Sequence, residues 1–268
     1  MTTARVDTAT QVLVRGGRVI SADGTPVTYL ARGSGPVLLA VHGGLGSAVS
    51  MLPLAGHLAE HYTVVAMNCR GHGTSGTPRS APDIAHEVAD IVAVIDAVGP
   101  VEVLFGYSFG AVLTLETALR APEWVLRLAV YEPPLPVTYP VPDLSAVDAA
   151  IAGGDYERLI LDASAVSGGF SPAELAALRS DPLWWHKVAQ TPTLAATLRV
   201  LAGLDPDAGR YAAITAPTTV ITGTTSANYL LDAANRLTTA LPDPTRKTLP
   251  GQGHHVDPGV LAEALLPD

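Results

Sequence analysis

Apolar and polar positions along this chain follow two rhythms. Val37-Leu38-Leu39-Ala40-Val41 is an unbroken apolar run, the pattern of a strand buried on both faces of a parallel sheet. Tyr62 to Met67, Val101 to Tyr107, Leu126 to Tyr131, Thr218 to Thr222 and Arg246 to Leu249 read as further strands. Between them the period lengthens. Leu52, Leu54 and Leu58 have helix-like spacing, and Ile84, Val88, Ile91 and Ile95 make one stripe behind Asp83, a natural N-cap. Gly110 to Arg120, Tyr229 to Leu241 and Val256 to Leu266 also read as helices. Near the start, Arg18 to Ile20 and Val27 to Ala31 flank the turn Ala22-Asp23-Gly24, a hairpin signal. Residues 1–12 are polar and short of large apolar groups, the composition of a frayed end.

Strand and helix in alternation predict an α/β fold, with a mostly parallel, doubly wound sheet and helices on both faces. The rhythm breaks from Glu132 to about Tyr211. Five prolines (Pro133, Pro134, Pro136, Pro140, Pro142) open this stretch, and short helical pieces follow. Ser171-Pro172-Ala173-Glu174 has an N-cap residue, Pro at the first helical position and Glu at the capping-box position. Asp181-Pro182 and Thr191-Pro192 give two more helix starts. The chain thus divides into a core of residues 1–132 and 212–268 and a helical insertion, residues 133–211, after the sixth strand.

Composition narrows the options. Hydrophobic residues make up 48%, charged residues 15%, and mean hydropathy is +0.29. The longest apolar region, Ile91 to Leu115, is nevertheless broken by Asp96, Glu102 and four glycines or prolines, where a spanning helix needs about 18 apolar residues. No signal-peptide pattern opens the chain. A soluble cytoplasmic protein is the expectation, its apolar excess used in burial. The net charge of −9, without a basic stripe, argues against nucleic acid and anionic membranes as partners. A single cysteine, Cys69, excludes an internal disulfide framework, and scattered histidines without partners at ligand spacing suggest no metal. There is no dinucleotide fingerprint or phosphate loop, so no cofactor is expected.

The chemistry centres on Gly106-Tyr107-Ser108-Phe109-Gly110, a G-x-S-x-G sequence between a strand and a helix. That setting suits a tight turn that lifts the Ser108 hydroxyl above the sheet edge. The Phe109 amide, at the helix start, can then point at a developing oxyanion.

With these residues the chain resembles the α/β-hydrolase superfamily over almost its whole length. His42-Gly43-Gly44 is similar to the family's oxyanion loop, Arg70-Gly71-His72-Gly73-Thr74-Ser75 to its R-G-x-G-x-S turn, and Pro250-Gly251-Gln252-Gly253-His254 to the loop bearing its histidine. The resemblance implies Ser108 as nucleophile, His254 as base, and Gly44 beside Phe109 as oxyanion donors. It also implies that the insertion is a lid. Asn68 stands where relatives often have Asp, which reads as a structural variation. Epoxide hydrolases and dehalogenases of this superfamily attack with Asp, so Ser108 argues against both.

One departure concerns the acid. The family's usual position, three residues past a glycine after the seventh strand, holds Ser226. Glu132, following the sixth strand, is the favoured replacement; a Ser–His dyad with neutral support, Asp257 and Asp232 are the alternatives. Leu45, Tyr107, Trp184 and Trp185 are the expected walls of a substrate pocket, and one of Arg158, Arg179, Lys187 and Arg199 could meet a substrate carboxylate. The expectation is a serine hydrolase acting on an ester or thioester of a small, largely apolar molecule. An acyltransferase, lyase, cyclase or carbon–carbon hydrolase is the alternative, and a non-enzymatic receptor the third. Oligomeric state is left open.

Overall fold

A computed structural model describes residues 14–78, 81–166 and 169–266; the frayed end expected for residues 1–12 lies outside them. Eight strands form one sheet. They are β1 (Arg15–Ile20), β2 (Pro26–Gly33), β3 (Val37–Val41), β4 (Thr63–Met67), β5 (Val101–Tyr107), β6 (Leu128–Tyr131), β7 (Thr218–Gly223) and β8 (Pro244–Leu249). Their spatial order is β1-β2-β4-β3-β5-β6-β7-β8. The β1–β2 hairpin joins antiparallel at one edge, and the six strands from β4 to β8 run parallel.

The apolar runs are buried on both faces because alternate residues serve two cores. Leu39, Val41, Val65 and Met67 face one cluster with α2 (Ile84–Val98), α3 (Phe109–Arg120) and α9 (Asn228–Ala240). Leu38, Ala40, Val64 and Ala66 face the other, with α1 (Leu52–Leu58) and α10 (Pro258–Leu265). The period-2 geometry of a strand requires this division. Asp83 caps α2 through its bond from the Ala85 amide, as its position predicts.

Two element boundaries differ from those the pattern predicts. Strand β6 starts at Leu128 because Leu126 is exposed. Helix α10 starts after Asp257, whose carboxylate accepts the Gly259 and Val260 amides.

Between β6 and β7 the chain is helical: α4 (Leu144–Gly153), α5 (Tyr156–Val166), α6 (Pro172–Ser180), α7 (Trp184–Gln190) and α8 (Leu194–Ala202). The expected capping box is present, with the Ser171 amide donating to Glu174 Oε2 at 2.8 Å. Strand β3 pairs with β4 on one side and β5 on the other. The strand order therefore reverses between β3 and β5, and a crevice for ligands opens beyond their carboxyl ends. Among the described residues no helix is long and apolar enough to cross a membrane.

Candidate active site

The loops leaving β3 and β5 converge at that reversal. Gly106 and Gly110 are required by close approach: an added Cβ would lie 2.4 Å from the Gly110 carbonyl oxygen at the first and 2.2 Å from that of Val41 at the second. Ser108 between them has φ 54° and ψ −120°, a backbone state that costs on the order of 1–3 kcal/mol for a residue with a side chain. Its amide bonds the Tyr131 carbonyl at 2.8 Å, and α3 starts immediately after it. The turn is thus held between strand and helix.

Ser108 Oγ lies 3.0 Å from His254 Nε2, and His254 Nδ1 lies 2.8 Å from Glu132 Oε2. A carboxylate oxygen only accepts, so Nδ1 carries the proton and the Nε2 lone pair faces the serine. Glu132 is fully buried, and its other oxygen accepts the Gly223 amide at 2.8 Å and the Ser226 hydroxyl. Ser226 thus sits at the expected acid position and bonds the Glu132 carboxylate. Glu132 also has φ 47°, in the left-handed region. Asp257 is committed to capping α10, Asp232 pairs with Arg236 at 3.0 Å, and Arg158 pairs with Asp162.

The histidine loop is pinned from below. Tyr107 donates its hydroxyl to the His254 carbonyl, and Tyr131 donates to the Gly253 carbonyl at 2.5 Å. The two phenol rings stack with centroids 5.4 Å apart. Burial and the nearby Glu132 carboxylate push both phenols up, so both stay protonated as donors. The sequence marked Tyr107 as a pocket wall; it lines the cavity and also holds His254. Tyr131, which strand patterning alone reads as core, was missed.

The glycine loop is anchored at its start and at Gly46 by two buried histidines. His42 is fully buried, donates Nδ1–H to the Gly43 carbonyl at 2.7 Å and accepts the Cys69 amide at Nε2. Desolvation and the neighbouring His72 push its pKa down to about 3. His72 donates to the Gly46 carbonyl at 3.1 Å and, mainly through burial, falls to about 4. Both are neutral hydrogen-bonding struts. Asn68 accepts the Ala48 amide at 2.7 Å and donates to Thr28 Oγ1 at 2.9 Å. The buried Arg70 forks onto Asp90 at 2.6 and 2.8 Å, tying this turn to α2. Burial pushes the Cys69 thiol up, leaving it a small apolar residue. The amides of Gly44 and Phe109 bond to no described residue.

Above Ser108 opens a cavity of about 560 Å³, walled by both core and insertion. Leu45, Tyr107, Met51, Ile160, Phe170 and Leu198 are among its lining residues. The expected tryptophan walls are corrected. Trp184 is 4% exposed and packs on Ile160 and Leu178 behind the lining, whereas Trp185 is 67% exposed and faces solvent. Adjacent helical positions point about 100° apart, so both could not face one cavity. Of the four insertion cations named from the sequence only Lys187 reaches the lining, paired with Asp181; Arg179 and Arg199 pair with Glu157 and Asp148 on the surface.

Residues 37–264 match the model of the alpha/beta hydrolase family. An alpha/beta hydrolase from Sphaerobacter thermophilus is 33% identical with a TM-score of 0.83, over 93% of this chain and 98% of that one. The 2-(acetamidomethylene)succinate hydrolase of Mesorhizobium japonicum is 28% identical over 84% of each chain. The uncharacterized hydrolase YraK of Bacillus subtilis is 36% identical over 42% of this chain, and the match spans only 43% of that relative. The chain belongs to the alpha/beta hydrolase family and is a hydrolase of that fold.

Proposed function

We propose that this α/β hydrolase cleaves a carboxylic ester or thioester of a small, largely apolar substrate through an acyl-Ser108 intermediate, beneath a lid formed by residues 133–211. The observation that carries the reading is the row Ser108 Oγ–His254 Nε2–His254 Nδ1–Glu132 Oε2, at 3.0 and 2.8 Å, opening into a mainly apolar cavity.

A serine hydroxyl is a weak nucleophile until a base accepts its proton as it attacks. His254 Nε2 takes that proton, Ser108 Oγ adds to the substrate carbonyl, and the oxygen becomes negatively charged. The unbonded amides of Gly44 and Phe109 receive that charge, each worth about 3 kcal/mol in the barrier. Glu132 holds the imidazole in the working tautomer and stabilises the imidazolium. His254 then protonates the departing alcohol or thiol. Water, activated by the same nitrogen, attacks the acyl carbon and frees Ser108.

Acyl transfer to another acceptor, lyase or cyclase chemistry drew its support from the lack of a carboxylate after β7. Glu132 beside His254 removes that support. A pure receptor would have no need of the aligned serine, imidazole and carboxylate. The test is covalent labelling by an alkyl fluorophosphonate, followed by mass spectrometry, with hydrolysis of 4-nitrophenyl butyrate measured in parallel. Wild type should label at Ser108 and turn over, and Ser108→Ala should do neither. Folded wild type that resists labelling sinks the acyl-enzyme mechanism.

A further inference from the structure

The loop that carries the Gly44 amide has little internal structure. Residues 42–47 close one turn through the Gly46 amide and the Gly43 carbonyl at 2.9 Å, while the amides of Gly44 and Leu45 bond no described residue. His42 anchors the loop's start from the core, and His72 holds the Gly46 carbonyl. Its far end is different.

Ser47 is fully buried and begins the short helical turn Ala48–Met51, its hydroxyl accepting the Val49 amide and its amide donating to Ser50 Oγ at 3.0 Å. The hydroxyl's other partner is His186 Nε2 on α7 of the insertion. The insertion touches the loop again one helix later. A Cβ placed on Gly44 would stand 3.0 Å from Thr197 Cγ2 of α8, and Leu45 packs against two apolar clusters of the insertion, one holding Leu194 and Leu198 and the other Ile160, Leu178 and Trp184. Helix α7 is itself fastened to the core, because Gln190 Oε1 accepts the Gly73 amide at 2.9 Å. The outer wall of the oxyanion loop is therefore made of inserted residues.

We propose that His186 is a positioning residue: its bond to Ser47 lets the seated insertion hold the loop that aims the Gly44 amide, so the oxyanion hole is complete only while α7 is docked. This rests on the role given above to Gly44. The physical ground is that a glycine-containing loop whose Gly44 and Leu45 amides bond no described residue has many states of similar energy. A buried bond at its far end, plus Thr197 against Gly44, selects one of them. The bond touches no reacting atom. It acts on the transition state because the oxyanion donor must sit within about 3 Å of where the charge develops. Substrate binding, which relies on the apolar walls, depends on it much less.

The experiment compares wild type, His186→Ala, His186→Gln, Ser47→Ala and the double Ala variant. It uses 4-nitrophenyl butyrate kinetics and the affinity of butylboronic acid, whose tetrahedral serine adduct occupies the oxyanion hole. His186→Ala and Ser47→Ala should each lower kcat about tenfold with KM within about twofold, the signature of an interaction made in the transition state. Boronate affinity should fall by the same factor. The double variant should be no worse than either single one, since one bond is lost in all three. His186→Gln, which can still bond Ser47, should recover most of kcat, and Ser47→Ala carries the test if His186→Ala does not fold. In the Ala variants, a kcat within twofold of wild type, a change confined to KM, or losses that multiply in the double variant would overturn the role. Wild type that neither labels nor turns over defeats the parent reading instead.

Discussion

The position of the acid gives the sharpest test of the mechanism. Glu132→Gln changes one oxygen for an NH2 group at constant shape, yet the site cannot accommodate it. In the wild type all three neighbours of the carboxylate donate: the Gly223 amide at 2.8 Å, the Ser226 hydroxyl, and His254 Nδ1 at 2.8 Å. An amide side chain has one accepting end and one donating end. With its oxygen toward the fixed Gly223 amide, its NH2 faces His254 Nδ1. The imidazole must then shift its proton to Nε2, where it blocks acceptance from Ser108. The opposite orientation buries two donors against each other at Gly223, at a cost of about 1–3 kcal/mol.

The charge term adds to the tautomer term. With imidazolium and carboxylate centres about 4 Å apart and an effective dielectric of about 20, their attraction is about 4 kcal/mol, about a thousandfold in rate. The wrong tautomer brings comparable losses, so kcat on 4-nitrophenyl butyrate at pH 8 should fall about 10³–10⁴-fold with KM little changed. Because Ser226 already touches Glu132, a carboxylate placed there reaches the same volume. The double variant Glu132→Ala, Ser226→Asp should therefore recover at least about tenfold over Glu132→Ala, as expected where two side chains share one network. Glu132→Gln that folds and keeps more than a tenth of wild-type kcat would refute the assignment.

Three further outcomes follow from the same geometry. Tyr107→Phe removes the donor to the His254 carbonyl without opening space, and should lower kcat by about threefold to tenfold, the worth of one hydrogen bond; an unchanged kcat would show that the His254 loop is held without it. His42 and His72 have folded pKa values of about 3 and 4 against about 6.5 unfolded, so their stabilising effect is complete above pH 6.5 and lost as pH falls toward those values. Each should cost about 2 kcal/mol between pH 7 and pH 5, and urea unfolding at the two pH values with equal free energies would contradict their burial as neutral groups. Trp184→Ala should destabilise by about 3–5 kcal/mol by chemical denaturation, while Trp185→Ser stays within about 0.5 kcal/mol. The reverse order would mean that α7 is rotated on its seat.

What could be read without coordinates was whatever is set by neighbours in sequence. The G-x-S-x-G turn, the strand before it and the helix after it are local, and the glycines declare the tight approach that the Val41 carbonyl later explains. Both faces of β3 were legible as buried because five consecutive apolar residues leave no polar side. The walls of the cavity were not legible. Which of Trp184 and Trp185 turns inward depends on how α7 sits against α5 and α6, and aromatic content says nothing of rotation. Tyr131 and His186 were overlooked for a related reason. One lies in an apolar strand pattern and the other on a short helix, and only the loops that fold over them give their polar atoms partners.

The acid shows why a motif position and a chemical function can separate. In the proposed mechanism His254 requires a carboxylate oxygen at Nδ1, and the strand that delivers it is immaterial. Strands β6 and β7 are adjacent and parallel, with Tyr131 opposite Ile221. A glutamate one residue past β6 and a three-residue loop past Gly223 consequently end in the same small volume. Glu132 reaches it by adopting φ 47°, a conformation that costs a side-chain-bearing residue about 1–2 kcal/mol. The bonds of its amide to the Ile221 carbonyl at 3.2 Å and of its carboxylate to the Gly223 amide offset that cost. Once Glu132 fills the space, a second carboxylate at position 226 would bring two buried negative charges into contact, and a hydroxyl donor is what the site accepts. Ser226 is therefore the complement of Glu132, and the apparent gap after β7 is a consequence of where the charge already stands.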